Sequence, residues 1–452
     1  MPATDPERDP ALAERYAELY AAHIATVRAR HDVALQKAGA LHAVVFSGAP
    51  AYAFLDDHPY PFRANPHFLA WVPLAGLPHS YIVYTPGETP VLVYYQPRDY
   101  WHAVPADPGG YWAAHFDVRV IHDAGDAARH LPPDRDKCIL IGELRNPEQA
   151  FGIERVNPRT TLNALHIARG QKTAYELECL RHAARRGVAG HRAAERAFSE
   201  GLSEFAIHQR YCAAVGHTDN ELPYSNIIAL NEHGAILHYT ERDRDAPAER
   251  RSFLIDAGAQ VHGYAADITR TYAANGDAGF GALIEAMDEL QQAVVGRVRA
   301  GVDFRDLHIE THRRLGALLV DAELATGSPD TLLATGVTSA FMPHGLGHLI
   351  GLQVHDVGGF LANATGTRID PPSGHPYLRL TRVLEEDMVV TIEPGLYFID
   401  LLLENLRGTP AETHVNWQGV ERLRPFGGIR IEDDVRVLAD GAENLTRDAF
   451  AL

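Results

Sequence analysis

Cysteine is scarce in this sequence. Only three cysteines occur among 452 residues, at Cys138, Cys179 and Cys212, and no two of them form a CxxC pair. An odd and sparse set argues against a disulfide framework, and the missing CxxC pair excludes a zinc site built from paired thiolates. Such a set is typical of proteins from a reducing compartment, so we expect a cytoplasmic location.

Long apolar runs are also missing. The longest ones, such as ALHAVVF and FLAWVPLAGL, are much shorter than the roughly 20 residues that a membrane-spanning helix needs. The first residues, MPATDPERDPALAERY, are acidic and rich in proline, and they lack the apolar core of a secretory signal. We therefore expect no membrane segment.

Positive charge is in deficit, since the formal net charge is -18. A chain this acidic repels phosphate backbones, so we expect no nucleic-acid partner. Bound divalent cations would neutralise part of the negative charge.

Length and composition predict a globular protein of two domains. A single ordinary core does not extend over 452 residues, and a content of 46% hydrophobic and 22% charged residues is typical of folded chains. Residues 1–170 alternate strand-sized apolar runs with helical stretches, which predicts an α/β domain. Thr173 and Glu176 then form a capping box before a long amphipathic helix, and we place the second domain at 171–452.

Five side chains of the second domain are candidates for a metal site. They lie in the runs IDAGA, YAADITRTY, HGLGHLIGLQVHD, TIEPGLYF and GGIRIEDD. The five residues are Asp256, Asp267, His348, Glu393 and Glu432. Four carboxylates and one imidazole suit two adjacent divalent cations, which can deprotonate a shared water at neutral pH. The set therefore predicts metal-assisted hydrolysis.

Each of these residues also has an ordinary interpretation when it is taken alone. Asp256 and Asp267 are predicted on neighbouring strands of a hairpin, where their carboxylates would repel each other without a cation between them. Each could instead bind its own arginine or backbone donors. His348 could be a packed histidine, and Arg430 could either form an ordinary ion pair with Glu432 or orient a metal-bridging carboxylate. Only the five together favour a metal site.

The combined pattern resembles the metal-dependent peptidases of pita-bread fold, which include methionine aminopeptidase, aminopeptidase P and prolidase. Within that group the chain resembles the bacterial Xaa-Pro dipeptidases (prolidases), of the type that includes organophosphorus acid anhydrolases. The resemblance rests on LPYSNIIALNEHGAILHYT, RSFLIDAGAQVHGYAADITRTY, FMPHGLGHLIGLQVHDVGGF, TIEPGLYFI, RPFGGIRIEDD and DDHPYPFRANPHFLAWVP. It covers nearly the whole chain. It implies an α/β (α+β) protein with an N-terminal α/β domain and a C-terminal pita-bread catalytic domain.

The resemblance implies a centre of two divalent metal ions per subunit. Asp256 would hold one ion, and His348 with Glu393 would hold the other. Asp267 and Glu432 would bridge the two. Manganese is the implied ion, although these donors also accept cobalt or zinc. A hydroxide shared by the ions would attack the carbonyl that precedes proline.

Roles for the side chains around this centre are also implied by the resemblance. Glu393 would take the proton of the attacking water and pass it to the leaving nitrogen. His355 would steady the tetrahedral oxyanion, and Arg430 would orient the carboxylates. His238 and His344 would line the site and donate hydrogen bonds to the substrate.

A further group of residues is implied to select the substrate. A dipeptidase must recognise the far carboxylate of its substrate, and Arg379 matches the arginine that does so in the family. An exposed surface arginine is the other interpretation. Tyr224, Leu237 and Val354 match pocket positions for the proline ring and the preceding side chain. The site is also implied to cleave organophosphate triesters as a side activity, because tetrahedral phosphorus resembles the tetrahedral intermediate.

Two other functions stay open on the sequence. An aminopeptidase P would remove the first residue of longer Xaa-Pro peptides, and a non-enzymatic pita-bread scaffold would bind peptides without metal. The family also implies a homodimer in which the N-terminal domain lends a loop to the partner's pocket. The region 56–68 is our candidate for that loop.

Overall fold

The structure is a computed structural model that describes residues 10–274 and 278–452. Residues 1–9 of the acidic, proline-rich start lie outside the described part. The helices are α1 (Pro10–Ala38), α2 (Pro66–Leu69), α3 (Arg159–Arg169), α4 (Ala174–Ser199), α5 (Glu204–Val215), α6 (Ala278–Val295), α7 (Phe304–Asp321), α8 (Pro329–Ala334), α9 (Val337–Phe341), α10 (Asp400–Glu404), α11 (Trp417–Leu423) and α12 (Leu445–Ala451). The strands are β1 (His42–Phe46), β2 (Tyr81–Tyr84), β3 (Val91–Tyr95), β4 (Asp117–Ile121), β5 (Cys138–Ile141), β6 (Ile227–Leu230), β7 (Ser252–Asp256), β8 (Gln260–Val261), β9 (Tyr264–Ala265), β10 (Thr269–Ala273), β11 (Val389–Ile392), β12 (Gly395–Tyr397), β13 (Gly428–Arg430), β14 (Asp433–Leu438) and β15 (Gly441–Asn444).

The first five strands form one sheet in the order β4-β3-β2-β1-β5. β1 pairs antiparallel with β2 in the register Val44↔Val83, whereas β1 with β5 and β3 with β4 are parallel pairs. Successive side chains of a strand point to opposite faces. Ala43 and Val45 accordingly enter one apolar cluster, while Val44 and Phe46 enter another. Strands β1, β2, β3 and β5 are mostly buried on both faces, as the alternation of helices and strands predicts, whereas the edge strand β4 is partly exposed.

Helix α1 packs against β1 of this sheet and against both α3 and α4. α4 in turn packs against β7, β8 and β9, so it joins the sheet to the second half of the chain. α4 begins at the predicted capping box, in which Glu176 N–H donates to Thr173 Oγ1 at 3.3 Å and Thr173 N–H donates to the Glu176 carboxylate at 2.8 Å. Tyr20 of α1, Leu177 of α4 and Ile268 belong to one apolar cluster. The two halves of the chain therefore share a core.

The second half is built on two antiparallel sheets of three strands, β10-β7-β6 and β11-β14-β15. A bridge between Thr269 and Glu432 links the two sheets at their ends. A second bridge, between Leu349 and Val390, attaches the segment around Leu349 to β11. Helices α6 and α7 contribute to the apolar core beneath the second sheet. The ends of strands from both sheets therefore meet at one place.

One local prediction was wrong. Asp267 does not lie on the strand that pairs with the strand of Asp256, because it lies in the extended stretch just before β10. The residues in between form their own small hairpin, β8-β9, which turns at His262 and Gly263, both with positive φ. Because residues 260–265 pair with each other in that hairpin, pairing with β7 starts only at Thr269, opposite Asp256.

The described residues include no helix that is long and apolar enough to cross a membrane. Each cysteine is buried and carries a free thiol: Cys138 in β5, Cys179 in α4 and Cys212 in α5. Burial raises the pKa of all three thiols. They therefore stay protonated at neutral pH and act as small apolar side chains.

Candidate metal centre

Two aspartates meet where β7 ends and β10 begins. Asp256 is the last residue of β7 and pairs with Thr269, the first residue of β10. Asp267 precedes Thr269 by two residues, and its N–H donates to Asp434 Oδ2 at 3.1 Å. The hydroxyl of Tyr224 donates to Asp267 Oδ1 at 2.6 Å. These bonds fix the Asp267 carboxylate at the end of the sheet that carries Asp256.

His348 and Glu393 are brought together by backbone pairing. Thr391 N–H donates to the His348 carbonyl at 2.9 Å, and His348 N–H donates to Thr391 Oγ1 at 3.0 Å. The His348 Nδ1 atom lies 3.1 Å from the carbonyl oxygen of Leu349. With its proton on Nδ1, the ring keeps a lone pair on Nε2 for a cation. That Nε2 lies 3.5 Å from Asp267 Oδ2 and 3.7 Å from Glu393 Oε1.

A glycine makes this pairing sterically feasible. A Cβ atom at Gly347 would lie 1.9 Å from the Thr391 carbonyl oxygen, a distance that no side chain tolerates. Only glycine therefore allows β11 to run so close to the segment that carries His348. A substitution at Gly347 would separate His348 from Glu393.

Glu432 reaches the same place from the start of β14. Its N–H donates to the Thr269 carbonyl at 3.1 Å, and Thr269 Oγ1 donates to its Oε2 at 2.6 Å. The Arg430 guanidinium donates to the Asp256 carboxylate and, at 2.8 Å, to the Tyr397 hydroxyl. Its Nε lies 3.7 Å from Glu432 Oε2. Arg430 therefore contacts the carboxylates of both Asp256 and Glu432, so it does not form an ordinary ion pair with Glu432 alone.

The centre holds more negative charge than the surrounding side chains neutralise. Burial, reinforced by the charges of the two aspartates, raises the pKa of Glu393 to about 7. Burial and the neighbouring carboxylates also raise the pKa of Glu432 well above its usual range. Burial raises the pKa of Asp256 as well, although Arg430 opposes it. The buried Oδ1 of Asp256 has no hydrogen-bond partner among the described residues.

Asp267 and His348 each stabilise the charged form of the other. Burial alone would raise the pKa of Asp267, but the contact with His348 outweighs it and lowers that pKa. The pKa of His348 is raised, because Asp267 and Glu393 outweigh the opposite effect of burial. Asp267, His348 and Glu432 each offer a donor atom within 4.8 Å of the others. Repelling carboxylates, an unpartnered oxygen and an available imidazole nitrogen fit divalent metal ions.

The centre opens into a cleft with a volume of about 910 Å³. Asp256 and Asp267 line it from the second half of the chain, and Phe62 and Arg63 line it from the first half. Arg63 donates to the carbonyl oxygen of Pro223 at 3.1 Å, which joins the two walls. Part of the region 56–68 therefore borders the cleft of its own chain.

The predicted substrate residues lie in different environments. His238, Val354 and His355 line the cleft, as does Tyr224, whose hydroxyl is bound to a carboxylate of the centre. Leu237 instead packs against the apolar cluster that contains Tyr239. The Arg379 side chain is exposed. The pKa of His355 is lowered to about 4, first by burial, then by the neighbouring His348, and then by the positive charge of Arg379.

His344 lies next to Glu393 and is neutral at pH 7. Its Nδ1 is 3.6 Å from Glu393 Oε2 and 2.8 Å from the carbonyl oxygen of Gly345. Its Nε2 is 3.1 Å from the Tyr397 hydroxyl. Burial, with a contribution from Arg430, lowers the pKa of His344 to about 4. Tyr397 thus links His344 to Arg430.

Two neighbours of the centre were not found from the sequence. Thr269 stands two residues after Asp267, so the alternation of side chains in an extended chain could have indicated it. Tyr397 gave no local signal. It reaches Arg430 because β12 pairs with β13 in the register Gly395↔Arg430.

Two family matches cover most of the chain. Residues 18–167 match the Xaa-Pro dipeptidase N-terminal domain, and residues 178–439 match metallopeptidase family M24. The second match alone spans more than half of the sequence. The chain therefore belongs to metallopeptidase family M24.

Individual relatives are similar over the same length. An Xaa-Pro dipeptidase of Xanthomonas oryzae pv. oryzae is 54% identical over 433 residues, which are 96% of this chain and 98% of the relative. An Xaa-Pro dipeptidase of Stenotrophomonas maltophilia is 52% identical over 434 residues, which are 96% of this chain and 97% of the relative.

Solved structures share the fold. Pseudomonas aeruginosa aminopeptidase PepP superimposes with a TM-score of 0.71 at 25% identity, over 94% of this chain and 95% of that chain. Escherichia coli aminopeptidase P with the inhibitor Pro-Leu gives a TM-score of 0.70 at 24% identity, with the same coverage. These matches confirm the predicted N-terminal α/β domain and C-terminal pita-bread domain. The predicted metal-dependent hydrolase is confirmed at the level of the family.

Proposed function

We propose that this chain is a dipeptidase that hydrolyses Xaa-Pro dipeptides with the help of two bound divalent metal ions. The observation that carries the proposal is the convergence of five metal-competent side chains at a cleft between the two halves of the chain. The substrate class is supported by relatives named Xaa-Pro dipeptidase that are 54% identical over 96% of the chain.

The proposed ligands follow from where the donor atoms lie. Asp256, with one oxygen that has no partner among the described residues, would hold one ion, and His348 and Glu393 would hold the other. Asp267 and Glu432, each with an oxygen within 4.8 Å of a His348 ring nitrogen, would complete the ligand set of both ions. Carboxylate-rich surroundings suit Mn²⁺, and the imidazole also accommodates Co²⁺ or Zn²⁺. When bound, such ions lower the pKa of a water molecule and polarise a carbonyl group.

Glu393 is the proposed general base and acid. Burial raises the pKa of its carboxyl to about 7 in the absence of cations, and a bound cation would lower that pKa and keep the carboxylate ionised, in the form that accepts a proton. It accepts the proton of the attacking water and delivers it to the proline nitrogen, which leaves as an amine. His344 lies beside that carboxyl, with Nδ1 3.6 Å from Glu393 Oε2, and its Nδ1–H donates to the carbonyl oxygen of Gly345.

His355 is proposed to stabilise the oxyanion. Its ring lies nearly perpendicular to that of His348, with 4.4 Å between the ring centroids. Its lowered pKa keeps it neutral at pH 7, so one ring N–H remains to donate to the developing negative charge. Arg430 holds the carboxylates of Asp256 and Glu432 in place from behind.

Arg379 is proposed to limit the substrate to two residues. A dipeptide presents its carboxylate one residue beyond the scissile bond, where an arginine near His355 can bind it. The planar guanidinium suits a carboxylate. Phe62 and Val354, from the two halves of the chain, offer apolar contact to the proline ring.

The test compares Ala-Pro with Ala-Pro-Ala in protein reconstituted with Mn²⁺, with an EDTA-treated sample as control. Cleavage of the dipeptide alone, lost in EDTA, is the expected result. Cleavage of the tripeptide would indicate an aminopeptidase P. No cleavage of either peptide, together with no bound metal, would indicate a peptide-binding scaffold.

We further propose that the protein is a homodimer in which the region 56–68 also completes the partner's pocket. Phe54 and Leu55 next to it are 89% and 91% exposed, which is unusual for large apolar side chains. Residues 56–58 are exposed and do not line the cleft of their own chain, so their replacement by alanine should leave metal content unchanged and reduce dipeptide turnover. Unchanged turnover in that variant would contradict this role.

A further inference from the structure

Three histidines outside the proposed metal centre come together beside α7. His308 and His312 are one turn apart on α7, so their side chains share one face of the helix. His375 approaches from the loop that precedes Leu378. The ring centroids are 4.6 Å apart for His308 and His312, 4.6 Å for His308 and His375, and 4.5 Å for His312 and His375. One ring nitrogen of each histidine lies within 4.8 Å of the others.

Three ring nitrogens of this cluster lack hydrogen-bond partners among the described residues. Within the described part of the chain, neither nitrogen of His308 is hydrogen bonded, and neither is Nε2 of His312. His308 is 1% exposed and His312 is 0% exposed, so water does not replace the missing partners. Buried polar atoms without partners are unfavourable. Their presence at one point indicates a ligand there.

The second nitrogen of His312 is oriented as in metal-binding histidines. Its Nδ1 lies 3.1 Å from Thr338 Oγ1. A proton donated from Nδ1 to that hydroxyl leaves a lone pair on Nε2 inside the cluster. Burial lowers the pKa of His308 to about 2 and that of His312 to about 3, so both rings are neutral, which is the form that binds metal. Edge-to-face packing of three neutral rings would explain the ring angles but not the unpartnered nitrogens.

We propose that His308, His312 and His375 form an additional metal site that takes a zinc-class ion with three imidazoles and one exchangeable water. Tetrahedral Zn–N bonds of about 2.0–2.1 Å place the nitrogens roughly 3.3 Å apart. His375 is half-buried on a loop, so it can close the remaining distance. Imidazole donors favour zinc, copper or nickel, whereas manganese prefers oxygen. The site therefore selects a different ion from the carboxylate-rich centre.

The location gives the ion a structural consequence. His375 precedes Arg379 by four residues on the same loop. A metal that joins His375 to α7 fastens the loop that carries Arg379. The proposal itself uses none of the residues of the carboxylate centre, so it does not depend on the proposed function.

The test counts metal ions. Purified full-length protein is stripped with a chelator, dialysed against ZnCl₂ and analysed by mass spectrometry of the elements. His375→Ala and His312→Gln should each bind one zinc ion fewer per chain than the wild type. His115→Ala removes a half-buried histidine that packs on Tyr20, and it should bind as much zinc as the wild type.

Cobalt gives a second readout that reports geometry. Tetrahedral Co²⁺ absorbs visible light much more strongly than Co²⁺ in five- or six-coordinate oxygen-rich sites. The wild type should show the intense band, and His375→Ala should lose it while it keeps the weaker absorption of the other centre, which also shows that it is folded. Equal zinc counts in the wild type and both cluster variants, or a band that persists in His375→Ala, would overturn the proposal. The histidine variants should bind one zinc ion fewer than the wild type whether or not the carboxylate centre is occupied. The zinc count therefore tests the histidine site separately from the proposed function.

Discussion

Replacing Glu393 with Gln in the metal-free protein tests the charge imbalance of the centre. Burial and the neighbouring aspartates raise the pKa of Glu393 from 4.5 to about 7. A difference of this size corresponds to about 3 kcal/mol for ionising the carboxyl in the folded state. The side chain is 17% exposed, so solvent screens the interaction only slightly.

The direction of the pH dependence follows from the raised pKa. A carboxyl with a higher pKa in the folded state than in the unfolded state stabilises the fold fully below the unfolded value of 4.5. That contribution is lost as the pH rises through about 7. Between about pH 5 and about pH 8.5, the metal-free wild type should therefore lose about 2–3 kcal/mol of unfolding free energy through this group. Glu393→Gln cannot ionise and should not show this loss.

Urea unfolding of EDTA-treated proteins at the two pH values measures the effect. Glu443→Gln is the matched control. Hydrogen bonds from Arg181, and then from Arg436, hold the pKa of Glu443 below its usual range. It is ionised at both pH values, and its replacement should change the unfolding free energy equally at both. If Glu393→Gln and the wild type have the same pH dependence, the reasoning that these carboxylates need a cation is refuted.

Three further predictions concern metal content, substrate length and side activity. Asp267→Asn should bind fewer than two metal ions, as measured by elemental analysis. It should lower kcat for Ala-Pro by more than about a hundredfold in steady-state kinetics, because loss of a residue that only hydrogen-bonds to a metal ligand already costs about 10–100-fold. Arg379→Ala should lower kcat/KM for Ala-Pro by about 10–100-fold, which is the loss expected for a hydrogen bond to a charged group. It should also reduce the preference of the enzyme for Ala-Pro over Ala-Pro-Ala. Arg368→Ala, which replaces another exposed arginine, should have neither effect. Protein loaded with Mn²⁺ should release fluoride from a fluorophosphonate faster than the EDTA-treated sample, and equal rates would contradict the side activity.

Several local elements and the candidate metal ligands were predictable from the order of the amino acids. The capping box at Thr173 and the strand at His42–Phe46 were predictable, because capping and alternation depend on neighbours within a few residues. The five acidic and imidazole residues were recognisable from their flanking runs. The sheet on which they meet was not needed to name them.

How these residues meet depends on contacts between distant parts of the chain. Asp267 and Glu432 are joined through Thr269 across a bridge between two sheets, and Arg430 contacts two carboxylates because of the register of β12 and β13. The histidine cluster shows the same limit, since His308 and His312 share a visible helical spacing but His375 comes from a distant loop. Strand register and loop placement depend on many weak contacts between residues far apart in sequence. Local sequence patterns carry no information about the combined effect of these distant contacts. The candidate side chains could therefore be named before the fold was known, but the distances between them could not be predicted.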